Sequence, residues 1–376
     1  MRIKLLTLLT FCSLVAFAQQ TNKKFKKSLF KNEKLKPLLK EAQKYRIQIV
    51  YTPIDKWNNP GKTQFFNYDP EEYFYPASTV KFPAALLSLQ KLKELNIDRK
   101  AKYTSNSTIP SYSSVSADST DLSIEKFIQS IFLVSSNDAF NRLYDFLGTD
   151  HINSQLVSKG YLNTRINHRL SIALSQVANQ TTPEINLGGL YKQASTTSNK
   201  SYQSAESIPI GKAHISNGER INKPMDFSAK NQFGLLDQHR MLQKMYFPET
   251  LPDIEAFDLR PEDLEFIKDY MSRVPRNAGY NESDYPDNFG KFLLYGDKAG
   301  RIPEHIKIYN KIGGAYGFLI DNALIHDEKS GIKFLLSAAI YTNENETLND
   351  DTYEYSQIGL PFLGELGRHI YEMSSK

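Results

Sequence analysis

What the chain lacks narrows its chemistry first. It has a single cysteine, Cys12, in 376 residues, so no internal disulfide can form and stability has to come from the core. Its seven histidines are scattered, with no H-x-H or H-x-x-x-H pair. A metal centre therefore has no evident ligand set, and neither metal nor cofactor is expected. There is no glycine-rich phosphate loop and no dinucleotide fingerprint. The net charge of +4 is small for this length. The one basic cluster, from Lys23 to Lys40, reads as a solvated face, so nucleic acid is not an expected partner. No internal repeat is visible, and after the first eighteen residues no run is apolar enough to cross a bilayer.

Those eighteen residues form a unit of their own. Arg2 and Lys4 open it, residues 5–17 are apolar but too short for a stable membrane span, and Ala16-Phe17-Ala18 is an A-x-A cleavage site before Gln19. This is the pattern of a secretory signal peptide, residues 1–18, cut at Ala18/Gln19. Phe11 stands before Cys12 where a lipoprotein signal needs a small residue, so no stable membrane anchor is expected. The mature chain is expected to be secreted or periplasmic, and a monomer.

Residues 19–36 are rich in lysine and asparagine and read as an N-terminal arm. Helical spacing begins at Pro37. Residues 46–54 alternate as a half-buried strand does, and Asn58-Asn59-Pro60-Gly61 turns the chain into a returning strand at 63–68. A long apolar helix is predicted over 78–95, and two more over 123–133 and 138–147. Residues 183–228 lose the helical rhythm and read as an insertion of hairpins and loops. Helices return near 233–245 and 260–271. Three strands follow at 308–312, 317–325 and 332–341, and a helix over 353–373 closes the chain. Strands at both termini with helices between predict an α+β fold. An antiparallel sheet built from both chain ends, residues 37–75 and 290–376, would carry flanking helices. An all-helical lobe, residues 76–289, would hold the insertion.

Three short strings carry the candidate chemistry. In Ser78-Thr79-Val80-Lys81 a hydroxyl and an amine stand three residues apart on one helical face. A buried amine can shed its proton and act as the base that a serine nucleophile requires. An N-cap serine beside an exposed lysine would look the same. In Ser135-Ser136-Asn137, with Asn141 following, a serine and an asparagine flank one position of a tight turn and can reach one cleft. A C-cap followed by an N-cap is the plain alternative. In Lys311-Ile312-Gly313-Gly314 a strand lysine can bind a carboxylate, and the glycines allow close approach to the backbone. A bulged strand would also account for them.

Taken together and in order, the strings resemble the S-x-x-K, S-x-N and K-T-G elements of the serine β-lactamase and penicillin-binding-protein superfamily, in its class A β-lactamase branch. The resemblance covers residues 37–170 and 229–373. It implies a β-lactamase/transpeptidase-like fold and an acyl-enzyme on Ser78. Lys81 would be the base or its partner, and Ser135 would pass a proton to the leaving nitrogen. Asn137 would hold the acyl side chain, and Lys311 the substrate carboxylate. The N–H groups of Ser78 and Gly314 would form the oxyanion hole, with Gly313 beside them. The implied partner is a small β-lactam or a peptidoglycan peptide. A carboxypeptidase or small penicillin-binding protein, or a binding protein that has lost turnover, would share these elements.

Two departures stand out. Ile312 takes the place of the threonine in K-T-G. The stretch expected to carry the deacylating glutamate, residues 165–176 (RINHRLSIALSQ), contains no acid. Thr182-Pro183-Glu184-Ile185-Asn186 echoes the missing loop and makes Glu184 a candidate for a displaced base.

Overall fold

A computed structural model describes residues 20–108 and 122–375. The leader at residues 1–18, its Ala18/Gln19 junction and Cys12 lie outside the described residues.

The sheet is assembled from both ends of the chain. Its five antiparallel strands run in the order Ile306–Ala315, Phe318–Asp327, Lys333–Tyr341, Gln48–Pro53 and Gln64–Phe66. Ile49 stands opposite Ala338, and Gly313 opposite Ile320. The strand that carries Lys311 lies at the sheet's edge. The sheet is covered on both faces, so its inner strands read as continuous apolar runs rather than alternating ones. On one face the closing helix Leu360–Ser374 buries Phe362, Leu363, Leu366 and Ile370. On the other face helix Leu235–Tyr246 packs across the strands.

The N-terminal segment is a correction to the sequence reading. It is not a free arm. Residues Lys23–Leu29 form a helix, and Phe25 and Leu29, four positions apart, are 1% and 0% exposed. Phe25 stacks on Tyr51 of the sheet at 5.4 Å. Each such side chain contributes about 2 kcal/mol on burial. The lysines between them face water, and their number hid the apolar stripe.

The second lobe is built on helices Lys81–Glu94, Ile124–Val134, Asn137–Leu147, Thr149–Ser158 and Pro261–Ser272. Its core is a cluster that includes Phe82, Leu86, Phe127, Ile131, Phe140 and Phe146. It is not all-helical. Thr164–Arg165 pairs with Gln232–Phe233, and Tyr103–Ser105 pairs with Ile185–Leu187 of the insertion. The insertion itself is a set of short hairpins, including Ile185–Leu187 with Tyr191–Gln193 and Ala213–Ser216 with Glu219–Ile221. Among the described residues no helix is long and apolar enough to cross a membrane.

Candidate active site

Ser78 does not open an α-helix as the sequence suggested. It lies in a 3₁₀ turn, Ala77–Val80, that runs into the α-helix Lys81–Glu94. The change favours the chemistry, because three residues per turn bring positions i and i+3 into eclipse. Lys81 is completely buried, and its Nζ lies 2.8 Å from Ser78 Oγ. The same nitrogen lies 2.5 Å from the Ser135 carbonyl oxygen, 2.6 Å from Asn137 Oδ1 and 3.2 Å from Ser135 Oγ. Burial holds the Lys81 ammonium well below its ordinary range, and the nearby Lys311 charge lowers it further. A neutral amine has two N–H bonds and one lone pair. In that form the two carbonyl-type oxygens would accept the two N–H bonds and leave the lone pair for the Ser78 hydroxyl proton.

The opposite wall is held by two helix caps. Ser135 ends helix Ile124–Val134 in the left-handed conformation, φ +54°. Ser136 starts the next helix, its Oγ accepting from Ala139 N at 3.2 Å. The capping reading and the site reading of this string are therefore both true: the caps fix the turn that turns Ser135 and Asn137 toward Lys81. Lys311 reaches the same point from the sheet edge, donating from Nζ to Ser135 Oγ at 2.9 Å. Burial lowers Lys311 to about 7, with Asp321 opposing the shift and Lys291 adding to it. A continuous path of polar atoms thus runs from Ser78 through Lys81 and Ser135 to Lys311.

Gly313 and Gly314 differ in what they do. A Cβ on Gly313 would lie 2.5 Å from the Pro76 carbonyl oxygen and 3.3 Å from Ala77 Cβ. Gly313 thus lets the sheet edge close onto the turn that carries Ser78, rather than letting substrate approach. Gly314 lines the cleft. Ile312 is buried in the cluster beneath the terminal helices and supplies no hydroxyl.

The cleft has a volume of about 440 Å³ and is bordered by Ser78, Asn137, Ser171, Gly314, Tyr316 and Asp351 among others. The sequence reading missed Tyr75, Ser171, Tyr316 and the segment 349–355. The alternating Tyr353-Glu354-Tyr355 carries a signal for the last, although its spacing also fits the start of the closing helix. Six non-glycine residues at the site have positive φ: Ala77 (+47°), Ser135 (+54°), Ser171 (+57°), Tyr316 (+54°), Asn349 (+60°) and Asp351 (+55°). Backbone strain of this kind costs about 1–3 kcal/mol per residue and persists where the surroundings enforce it.

The missing acid remains missing. Glu184 is exposed and lies on a separate surface depression with Thr104, Asn106 and Lys192. It does not border the Ser78 cleft, and its candidacy as a displaced base falls. The loop 165–176 does come to the site, but through neutral groups. Asn137 Nδ2 donates to Ser171 Oγ at 2.6 Å. Asn141 holds the loop by exchanging hydrogen bonds with the Leu170 backbone at 2.9 and 3.1 Å. Arg169 pins the loop's base, pairing with buried Asp145 at 2.6 Å and donating to the Ala178 and Thr181 carbonyls at 2.9 and 2.7 Å. Burial lowers His168, within the same loop, to about 4, and its Nδ1 lies 2.6 Å from the Arg169 carbonyl oxygen. Among the described residues lining the cleft, Asp351 is the one carboxylate.

Comparison with known proteins agrees with this geometry. Residues 31–208 match the model of the β-lactamase enzyme family, a span that contains Ser78, Lys81, Ser135 and Asn137. A search of curated protein sequences found no match. Solved structures extend the likeness over the sheet. A β-lactamase from Burkholderia ambifaria is 13% identical with a TM-score of 0.54, over 90% of this chain and 98% of that one. A class A β-lactamase from Clostridium kluyveri is 13% identical with a TM-score of 0.52, over 92% and 99%. A variant of PBP-A, captured as an acyl-enzyme complex with penicillin G, is 13% identical with a TM-score of 0.54, over 91% and 94%. At such identities the structures speak for the fold, and the family match covers the segment with the serine and the lysine. The family match and the shared fold are consistent with the serine β-lactamase/transpeptidase-like superfamily and support a β-lactamase-like serine hydrolase.

Proposed function

We propose that the chain is a class A-type acyl-enzyme former that acts on β-lactams or related amides. Ser78 Oγ attacks the carbonyl carbon as its proton passes to Lys81 Nζ. The tetrahedral oxyanion sits at the N–H groups of Ser78 and Gly314. Its collapse breaks the C–N bond, and the leaving nitrogen takes a proton through Ser135. Asn137 holds the acyl side chain and Lys311 the substrate carboxylate. The observation that carries this reading is Lys81, completely buried, 2.8 Å from Ser78 Oγ and depressed far below its ordinary range. With its leader the protein is exported, to the periplasm or the medium, and works there as a monomer without a stable anchor.

Release of the acyl group is the step with least visible support. General-base help is worth about 10²–10⁴-fold, and the loop 165–176 brings Ser171 rather than an acid to Asn137. That observation favours a second reading: a penicillin-binding or carboxypeptidase-like protein whose acyl-enzyme decays slowly. Intact-mass spectrometry after mixing with penicillin, alongside nitrocefin hydrolysis, separates the two. Many turnovers that vanish in Ser78→Ala support the hydrolase. A one-to-one adduct on Ser78 that persists supports the second reading. No adduct and no turnover would overturn both.

A further inference from the structure

The segment 343–355 is built with care for a surface loop. Thr347–Leu348 forms a parallel pair with Ala213–Ser216 of the insertion, and Lys212 N donates to the Glu346 carbonyl at 2.7 Å. Asn349 donates from its backbone to Tyr353 Oη at 2.8 Å and from Nδ2 to the Ile215 carbonyl at 3.2 Å. Gly317 N donates to Tyr355 Oη at 2.9 Å. Glu346, Asn349 and Asp351 are all held at positive φ, +52°, +60° and +55°. The insertion thus acts as a brace that keeps a strained segment against the cleft, where Asn349, Asp351, Tyr353 and Tyr355 form one wall.

Within this wall the acids differ. Asp350 accepts from Asn345 Nδ2 at 2.7 Å and from Thr352 N at 3.0 Å. Glu354 accepts from Glu344 N at 3.1 Å. Asp351, the one that borders the cleft, has neither a hydrogen bond nor an ion pair among the described residues. Burial holds the Tyr353 phenol up at about 12, with the Asn349 N–H opposing the shift and the charges of Asp350 and then Asp351 adding to it. Tyr353 and Tyr355 pack against each other at 5.2 Å, and neither carries a cation over its ring among the described residues. Tyr316 next to them does: Lys230 Nζ sits 5.6 Å from its ring centre. A free carboxylate beside two tyrosine faces is a receptor for a cation, combining charge attraction with the rings' negative faces. Lys311 is held on the sheet edge, its Nζ donating to Ser135 Oγ at 2.9 Å.

We infer that Asp351, with Tyr353 and Tyr355, makes this wall a specificity subsite for an ammonium group on the acyl portion of the substrate. A substrate carrying a carboxylate at one end and a free amine at the other would be oriented by Lys311 and Asp351 together. The inference rests on the proposed acylation of Ser78, since the acyl portion is the part directed away from Lys311.

The test uses ampicillin and benzylpenicillin, which differ by one α-amine, at pH 6, where such an amine is protonated. Second-order acylation constants are measured by intact mass for the full mature chain and for Asp351→Asn. The wild-type protein is expected to favour ampicillin by about fivefold, the upper range of one exposed ion pair. The variant should lose the preference while its constant for benzylpenicillin stays within twofold. A ratio unchanged by the substitution overturns the inference and leaves the proposed function standing. If neither compound acylates Ser78, the proposed function falls, and equilibrium binding of the two compounds to Ser78→Ala reads the preference directly. Equal binding there, or none, overturns the inference as well.

Discussion

Gly313→Ala is the most demanding test of the geometry, because it changes one methyl group and leaves every chemical group in place. The added Cβ would lie 2.5 Å from the Pro76 carbonyl oxygen, where carbon and oxygen settle at about 3.3 Å without repulsion. The strand or the nucleophile turn must therefore give way by about 0.8 Å. The Pro76 carbonyl cannot move freely, since it accepts from both Thr79 N at 3.0 Å and Thr79 Oγ1 at 2.8 Å. Neither can Ala77, already strained at φ +47°. The displacement then falls on the edge strand, and with it on Lys311 and Gly314. Misplacement by about 1 Å costs on the order of 10²-fold in rate, and overpacking costs about 1–3 kcal/mol of stability. Acylation by benzylpenicillin, followed by mass, should slow about 100-fold, with a modest fall in the urea midpoint. Gly290→Ala, where nothing lies within 4 Å of the added atom, is the matched control and should be silent. Acylation of Gly313→Ala within threefold of wild type would show that the contact between strand and nucleophile turn is not what sets the site.

Three further outcomes are expected. Lys81→Met, close in volume, should fold yet acylate about 10²–10⁴-fold more slowly; a rate within tenfold in mass-monitored acylation would remove Lys81 from its role. The pH profile of kcat/KM should fall as pH rises through about 7, because Lys311 holds its proton below that value and loses it above; a profile flat to pH 9 would contradict this, and a penicillin methyl ester, lacking the carboxylate, should show no such limb. Asp145→Asn strips the buried Arg169 of its counter-charge, both side chains being almost wholly inaccessible. The loss of stability should be about 3–5 kcal/mol, read from urea unfolding, and limited proteolysis should show the loop 165–181 opening first.

Much of this protein can be read along the chain, because much of it is local. The period of apolar residues located the strands Ile306–Ala315, Phe318–Asp327 and Lys333–Tyr341 and the helices on either side of Ser135. Spacing of three placed Ser78 and Lys81 on one face whether the turn is α or 3₁₀. Order and composition of three strings, none persuasive alone, pointed to one cleft. What only the tertiary structure decided depends on contacts between distant segments. Phe25 and Leu29 turn a lysine-rich stretch into core because the sheet face beneath them would otherwise be bare. Gly313 faces the nucleophile turn rather than the substrate, a matter of how close a sheet edge comes to Pro76. Glu184 points to solvent on another surface, although its place in the sequence made it a candidate base. Asp351 reaches the cleft only because an insertion more than a hundred residues earlier braces its loop (Ala213–Ser216 against Thr347–Leu348). Local pattern determines which groups the chain can offer. Burial and long-range pairing decide which of them meet, and whether the Lys81 amine arrives as a cation or as a base.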